Sequence, residues 1–212
     1  MADRVLSRNQ KTAIAETTPA CVEEYFSGVQ EVMSHLPYEH IQRSVELLIA
    51  AYREDRAVFL FGNGGSAALA SHLACDLGKG TIVNGNRRFR VLSLTDNVPL
   101  MTAWANDAHY DYIFGEQLRN FVQAEDVAFA ISASGNSPNV LHGLRAAREY
   151  GAHTIVLTGY KGGKAAGVAD LAIIVPSDDM QYIEDLHVTI AHSIFRAVRE
   201  AMPRSTENSA EG

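Results

Sequence analysis

The chain has 212 residues, 47% of them hydrophobic, which is enough for one α/β domain with a sizeable core and leaves little room for disorder. Lys and Arg number 18 against 25 Asp and Glu, a formal charge of −7, which argues against general nucleic-acid binding. No apolar run approaches membrane-spanning length, the first residues lack the apolar stretch of a signal peptide, and the two cysteines, Cys21 and Cys75, show no pairing by spacing, so a reduced, cytoplasmic chain is expected.

Residues 1–20 are polar and mixed, and read as a flexible arm or a partner-docking segment. One domain is expected over 21–202, followed by a polar, disordered tail at 203–212. Apolar residues at helical spacing predict a helix over 22–36, ended by Pro37, and a second over 38–52. Two amphipathic helices ahead of the first strand exceed what a sheet needs, so the hairpin is expected to pack against another subunit, with packing on its own domain as the alternative. Strands are predicted at 58–61, 90–94, 127–131, 154–157 and 171–175. Helices are predicted at 67–77, 100–105, 113–122, 138–150 and 180–201, with a Gly/Asn-rich loop at 79–88 and a short helix inside 159–167. Strands alternating with helices imply parallel β/α units and a three-layer αβα sandwich with a five-stranded parallel sheet, preceded by the helical hairpin.

The first strand runs into Gly62-Asn63-Gly64-Gly65-Ser66 and then a helix. This arrangement aims backbone N–H groups and the positive end of a helix dipole at whatever lies above the turn, and a small anion is the natural guest. Ser66 can cap the helix or bond the ligand. A lone Gly-rich turn is as often a plain tight connection, but the third strand repeats the pattern. It meets Ser132-Ala133-Ser134-Gly135-Asn136-Ser137, with Pro138 placed as a first helical residue. Two such turns, one dense in hydroxyls, predict a phosphorylated ligand in the crevice of a doubly wound sheet.

The helix after the first turn carries His72 and Asp76, four apart and so on one face, a pair able to hold a metal or share acid–base work. The last helix carries Glu184, His187 and His192. Glu184 and His192 lie about 12 Å apart along the axis, whereas Glu184 and His187 have the easier ligand spacing, so spacing alone favours His187.

Taken together, the Gly62–Ser66 turn with His72, then Ala105-Asn106-Asp107, the serine turn, and Ile183-Glu184-Asp185-Leu186-His187 with His192 resemble the sugar isomerase (SIS) domain, and within it the phosphoheptose isomerase family. The resemblance covers about 22–199. It implies a five-stranded SIS fold, a homotetramer with sites shared between subunits, and a phosphorylated sugar as substrate. It implies that Asn63, Gly64, Gly65, Ser66, Asn106, Asp107, Ser132, Ala133, Ser134, Ser137 and Glu184 bind that substrate. His72, Asp76, Glu184 and His192 match the family's zinc positions, with Asp76 and His192 as the catalytic pair, so the resemblance prefers His192 to His187. Asp76 stands where the family usually has Glu, Glu184 where it has Gln, Ala67 where it has His and Ala133 where it has Thr.

The implied reaction is aldose–ketose isomerisation through an enediol(ate), from sedoheptulose 7-phosphate to glycero-manno-heptose 7-phosphate. Asp76 is the base, His192 the acid, and a zinc ion polarises the carbonyl. The rival expectations are a non-catalytic SIS protein, either a phosphosugar-binding regulator or a replication-initiator-associating protein, and an isomerase of another sugar phosphate. The regulatory readings need the phosphate turn but not His72, Asp76 and His192 together.

Overall fold

The first strand lies inside the sheet and is buried along its whole length, as an unbroken apolar run requires. The computed structural model describes residues 22–83 and 85–202. The expected arm at 1–20 and tail at 203–212 lie outside them. In chain order the elements are α1 (Val22–Ser34), α2 (Tyr38–Arg53), β1 (Val58–Gly62), α3 (Gly65–Gly80), β2 (Val91–Ser93), α4 (Val98–Asp107), a 3₁₀ turn (Tyr110–Tyr112), α5 (Gly115–Phe121), β3 (Val127–Ser132), α6 (Pro138–Glu149), β4 (His153–Thr158), α7 (Gly163–Val168), β5 (Leu171–Ile174) and α8 (Met180–Glu200).

The five strands are parallel in the order β2-β1-β3-β4-β5, with Leu60 opposite Ser93 on one side and Phe129 on the other. Alternate side chains go to opposite layers. Val58 and Leu60 join Phe129, Ile155 and Leu157 beneath α2, α3 and α8, while Phe59 and Phe61 join Ala128, Ala130 and Val156 beneath α5 and α6.

Crossover handedness explains the layers. The β1-to-β2 step travels one way along the sheet and the β3-to-β4 and β4-to-β5 steps travel the other. Right-handed connections therefore put α3 on one face and α6 and α7 on the opposite face. The face bearing α3 has no crossover helix over β3 to β5, and helices from the two ends of the chain cover it. α2 packs on β5, β3 and α8, burying Val45, Leu48, Ala51 and Tyr52. The second hairpin helix is thus part of what this sheet needs, while α1 fully buries no residue and packs Val29, Val32 and Met33 against the same core.

Element ends shift for local reasons. α4 begins at Val98 because Asn97 caps it, its Oδ1 accepting from Leu100 N at 3.1 Å, so Asn106 and Asp107 fall in its last turn. The helix expected at 113–122 is α5, shortened to Gly115–Phe121, and the 3₁₀ turn at Tyr110–Tyr112 precedes it.

Candidate active site

The strand order reverses between β1 and β3, and the crevice beyond their C-terminal ends is where open α/β sheets bind ligands. Both small-residue turns lie there. In the first, Gly64 is the N-cap of α3 with φ 54°, a left-handed conformation that glycine adopts at no steric cost, and α3 starts at Gly65. Ser66 is therefore already inside the first turn of the helix and makes no side-chain cap, which corrects its expected capping role. Ser137, the N-cap residue of α6 ahead of Pro138, makes none either. Both hydroxyls remain for a ligand.

The serine turn is braced from behind. Asn136 N donates to Ser134 Oγ at 3.3 Å, and Asn136 Nδ2 donates to Ser134 O at 2.9 Å. Gly135 has φ 62°, and a Cβ there would lie 2.1 Å from Gly162 O, so only glycine lets the turn lie against the loop before α7. Ala165 N and Lys164 N, from α7, donate to Gly135 O at 2.9 Å and Asn136 Oδ1 at 3.1 Å. The result is a cavity of about 160 Å³ lined by Asn63, Ser66, Ala133 and three serines, Ser132, Ser134 and Ser137, with Met180 and Glu184 on the α8 side. Ser66 and Glu184 also line an adjoining cavity of about 240 Å³ with Gly65 and His187.

α3 and α8 pack side by side, and their polar residues meet at two levels. At the lower level Glu184 faces Gly65, where a Cβ would stand 3.5 Å from Glu184 Oε1. Seven residues further along α3 and eight along α8, roughly 10–12 Å up the axes, His72 meets His192. Their Nε2 atoms are 3.1 Å apart, and His72 Nε2 is 3.4 Å from Asp76 Oδ2. One ligand atom from each of His72, Asp76 and His192 lies within 4.8 Å of the others, which is a geometry for a divalent ion or for passing a proton. Glu184 is not brought into this triad; its exposed carboxylate stands at the cavities.

His187 and His192 are five residues apart on α8 and therefore about 140° apart around it. His187 points inward and is 1% exposed, with Nε2 lacking a hydrogen-bond partner among the described residues. Burial pushes its pKa down to about 4, against a smaller raising effect of a backbone hydrogen bond with Thr158. His192, not His187, joins the pair on α3, which reverses the preference from spacing.

Asn106 and Asp107 lie on the exposed last turn of α4, where Asn106 Nδ2 donates to Asp107 Oδ1 at 2.8 Å, and neither lines the two cavities. The nearby Tyr110 does reach the first turn, donating from its hydroxyl to Asn63 Oδ1 at 3.1 Å. Asn63 is also bonded to Asn139, a buried residue 76 positions away. The sequence reading contained neither Tyr110 nor Asn139, since no local pattern ties them to the turn.

Comparison with known proteins agrees with this geometry. The SIS domain family matches residues 24–159. The chain is 40% identical over 154 residues to the phosphoheptose isomerase of Aquifex aeolicus, covering 73% of this chain and 80% of that protein. It is 37% identical over 178 residues to a probable phosphoheptose isomerase of Thermoplasma acidophilum, covering 84% and 97%. Among solved structures it is similar to a phosphoheptose isomerase from Neisseria gonorrhoeae, with 30% identity, a TM-score of 0.79, and coverage of 85% of this chain and 97% of that one. The chain belongs to the phosphoheptose isomerase family of SIS-domain proteins.

Proposed function

We propose that this chain interconverts sedoheptulose 7-phosphate and glycero-manno-heptose 7-phosphate. The observation that carries the reading is a hydroxyl-lined cavity at the switch point with an acid–base cluster two helical turns away along α3 and α8. A substrate with its phosphate on C7 and its reacting carbons at C1 and C2 suits that separation. Ser132, Ser134, Ser137 and Asn63 donate to the phosphate, with Gly64, Gly65, Ser66 and Ala133 completing the turns around it. Glu184 accepts from sugar hydroxyls, a role that replaces the one expected for it as a metal ligand.

For the reaction, the Asp76 carboxylate removes a proton from C1 of the ketose. The electron pair of the broken C–H bond forms the C1–C2 double bond, and the carbonyl pair moves onto O2. His192 supplies a proton to O2, giving the enediol. Removal of the O1 proton and return of a proton to C2 then leave the aldehyde at C1, so no oxidant is consumed. His72 lies against both groups and orients them.

Two imidazoles and a carboxylate with converging donor atoms also fit a zinc ion, held by His72, Asp76 and His192. Such an ion would supply electrophilic stabilisation of the enediolate oxygen. We further propose a cytoplasmic homotetramer. α1 exposes Val22 and Phe26 at 71% and 66%, an apolar face available to a second copy of the chain. Asn106 and Asp107, off their own cavity, would then serve a site shared between subunits.

The test offers sedoheptulose 7-phosphate beside pentulose and hexulose phosphates, with elemental analysis of the purified protein. Preferred turnover of the seven-carbon ketose and about one zinc per chain are expected. Preference for a shorter sugar would overturn the substrate, inactivity on all of them the isomerase reading, and full activity without metal the zinc.

A further inference from the structure

Asn139 belongs to no motif of the sequence, yet it is 1% exposed and stands between the two turns of the site. Its amide and that of Asn63 form a reciprocal pair. Asn63 Nδ2 donates to Asn139 Oδ1 at 2.9 Å, and Asn139 Nδ2 donates to Asn63 Oδ1 at 2.8 Å. Such a pair looks the same if both amides are turned over together, so the pair alone does not say which atom is oxygen.

The backbone removes the ambiguity. Val140 N lies 2.9 Å from Asn139 Oδ1, and a backbone N–H only donates, so that atom must be the acceptor. This N–H is one of the first-turn donors of α6 that have no partner within the helix. The sense of Asn139 then dictates the sense of Asn63. Tyr110 adds a second lock, because its hydroxyl also donates to Asn63 Oδ1. Both lone pairs of that oxygen are thereby engaged, and one of the two Nδ2 hydrogens is engaged by Asn139. Among the described residues, the single polar group that the Asn63 side chain has left is an N–H, and Asn63 lines the cavity of serines.

We infer that Asn139 is a positioning residue, which holds the Asn63 amide so that it offers a donor, not a carbonyl, to the phosphate. A phosphoryl oxygen of a dianion only accepts, so an amide locked in this sense matches it, whereas an amide free to turn over would present oxygen to oxygen part of the time. The inference rests on the phosphosugar reading above, because it takes Asn63 to touch that ligand.

A double-mutant cycle tests it, with Asn63→Ala, Asn139→Ala and the pair together. Two quantities are read, KM for sedoheptulose 7-phosphate and the dissociation constant of inorganic phosphate by calorimetry. Each single variant should raise both by about tenfold and leave kcat near the native value, since the contact is the same in ground and transition states. The double variant should be no weaker than Asn63→Ala alone. If Asn139→Ala weakens binding by the same factor in the Asn63→Ala background, it acts independently of Asn63 and the inference is wrong. It is equally wrong if Asn139→Ala lowers the melting temperature and leaves both constants alone. Asn139→Asp keeps the volume and the acceptor for Val140 N–H but loses the donor to Asn63, and it runs the same cycle should the alanine variant not fold. A native chain that binds phosphate without isomerising the sugar breaks the functional reading and leaves the calorimetric cycle readable. An Asn63→Ala variant that binds phosphate like the native chain overturns the contact and the inference together.

Discussion

The two ends of the site are built on different principles. The serine-turn cavity presents short side chains on a fixed backbone: residues at the ends of β1 and β3, pinned by ladder register, by Gly135 against Gly162 and by hydrogen bonds from α7. The His72–Asp76–His192 cluster is made of side chains reaching across the contact of two helices, and it bonds mainly within itself. The first is a rigid receptor that few substitutions can move without loss of fold. The second is adjustable, because its geometry depends on three rotamers and on how α3 sits on α8. A site that must grip a phosphate firmly and move protons elsewhere gains from that division.

Substitutions that touch one end only sharpen the comparison. His192→Ala should have the largest effect, lowering kcat by about a thousandfold or more, while inorganic phosphate still binds as in the native chain. Single-turnover rates with a parallel phosphate titration decide it; a loss confined to KM would mean that the two ends do not divide their work.

Ser134→Ala and Ser137→Ala should do the opposite. Each removes a donor to a charged oxygen worth roughly 1.5–3 kcal/mol, so KM should rise at least about tenfold with kcat preserved. Steady-state kinetics that show kcat falling and KM unchanged would move the phosphate to another place.

The third prediction sets His187 against His192. His187→Ala should leave turnover nearly intact, because the ring is buried and lies outside the His72–Asp76–His192 cluster. Its cost should appear in stability, and with it a change in pH dependence. The folded protein holds His187 neutral with its pKa pushed down to about 4, below the ordinary 6.5, so below that ordinary value the unfolded chain binds the extra proton first. The stability that the neutral ring contributes is therefore complete above about pH 6.5 and is lost as pH falls towards 4. Urea midpoints between pH 7.5 and 4.5 should fall less in the variant than in the native chain. An equal fall in both would assign the acid sensitivity to other groups.

The smallest effect on the chemistry itself should come from Phe26→Ser on α1, whose ring is 66% exposed and lines neither cavity. It should shift the assembly, seen by light scattering, towards smaller species. A native chain already monomeric at micromolar concentration would remove the shared-site reading.

Much of this was legible in the chain itself. Unbroken apolar runs marked β1 and β3 as buried strands, Pro138 marked the start of α6, and a left-handed Gly151 (φ 78°) follows its end. The two turns and the His72/Asp76 pair could be read because their chemistry lies within a few neighbouring residues, and local geometry follows from local sequence. Of the two roles open to Ser66, cap or ligand contact, capping fails because one residue of difference in where a helix starts decides which side chain can reach its first N–H groups.

Tertiary structure alone decided the rest. Spacing along α8 could rank Glu184, His187 and His192 as ligands of one ion, but it could not say which flank of that helix meets α3. The packing of α8 over the sheet turned His187 into the core and His192 towards His72. Asn139 and Asn63 are brought together only because β1 and β3 are neighbours, and that adjacency is set by crossover handedness and strand order across the whole sheet. Residue types and their local spacing determine which groups a short segment presents. Which groups from distant segments meet is settled by the burial of apolar surface over the whole domain, and no window of sequence contains that energy.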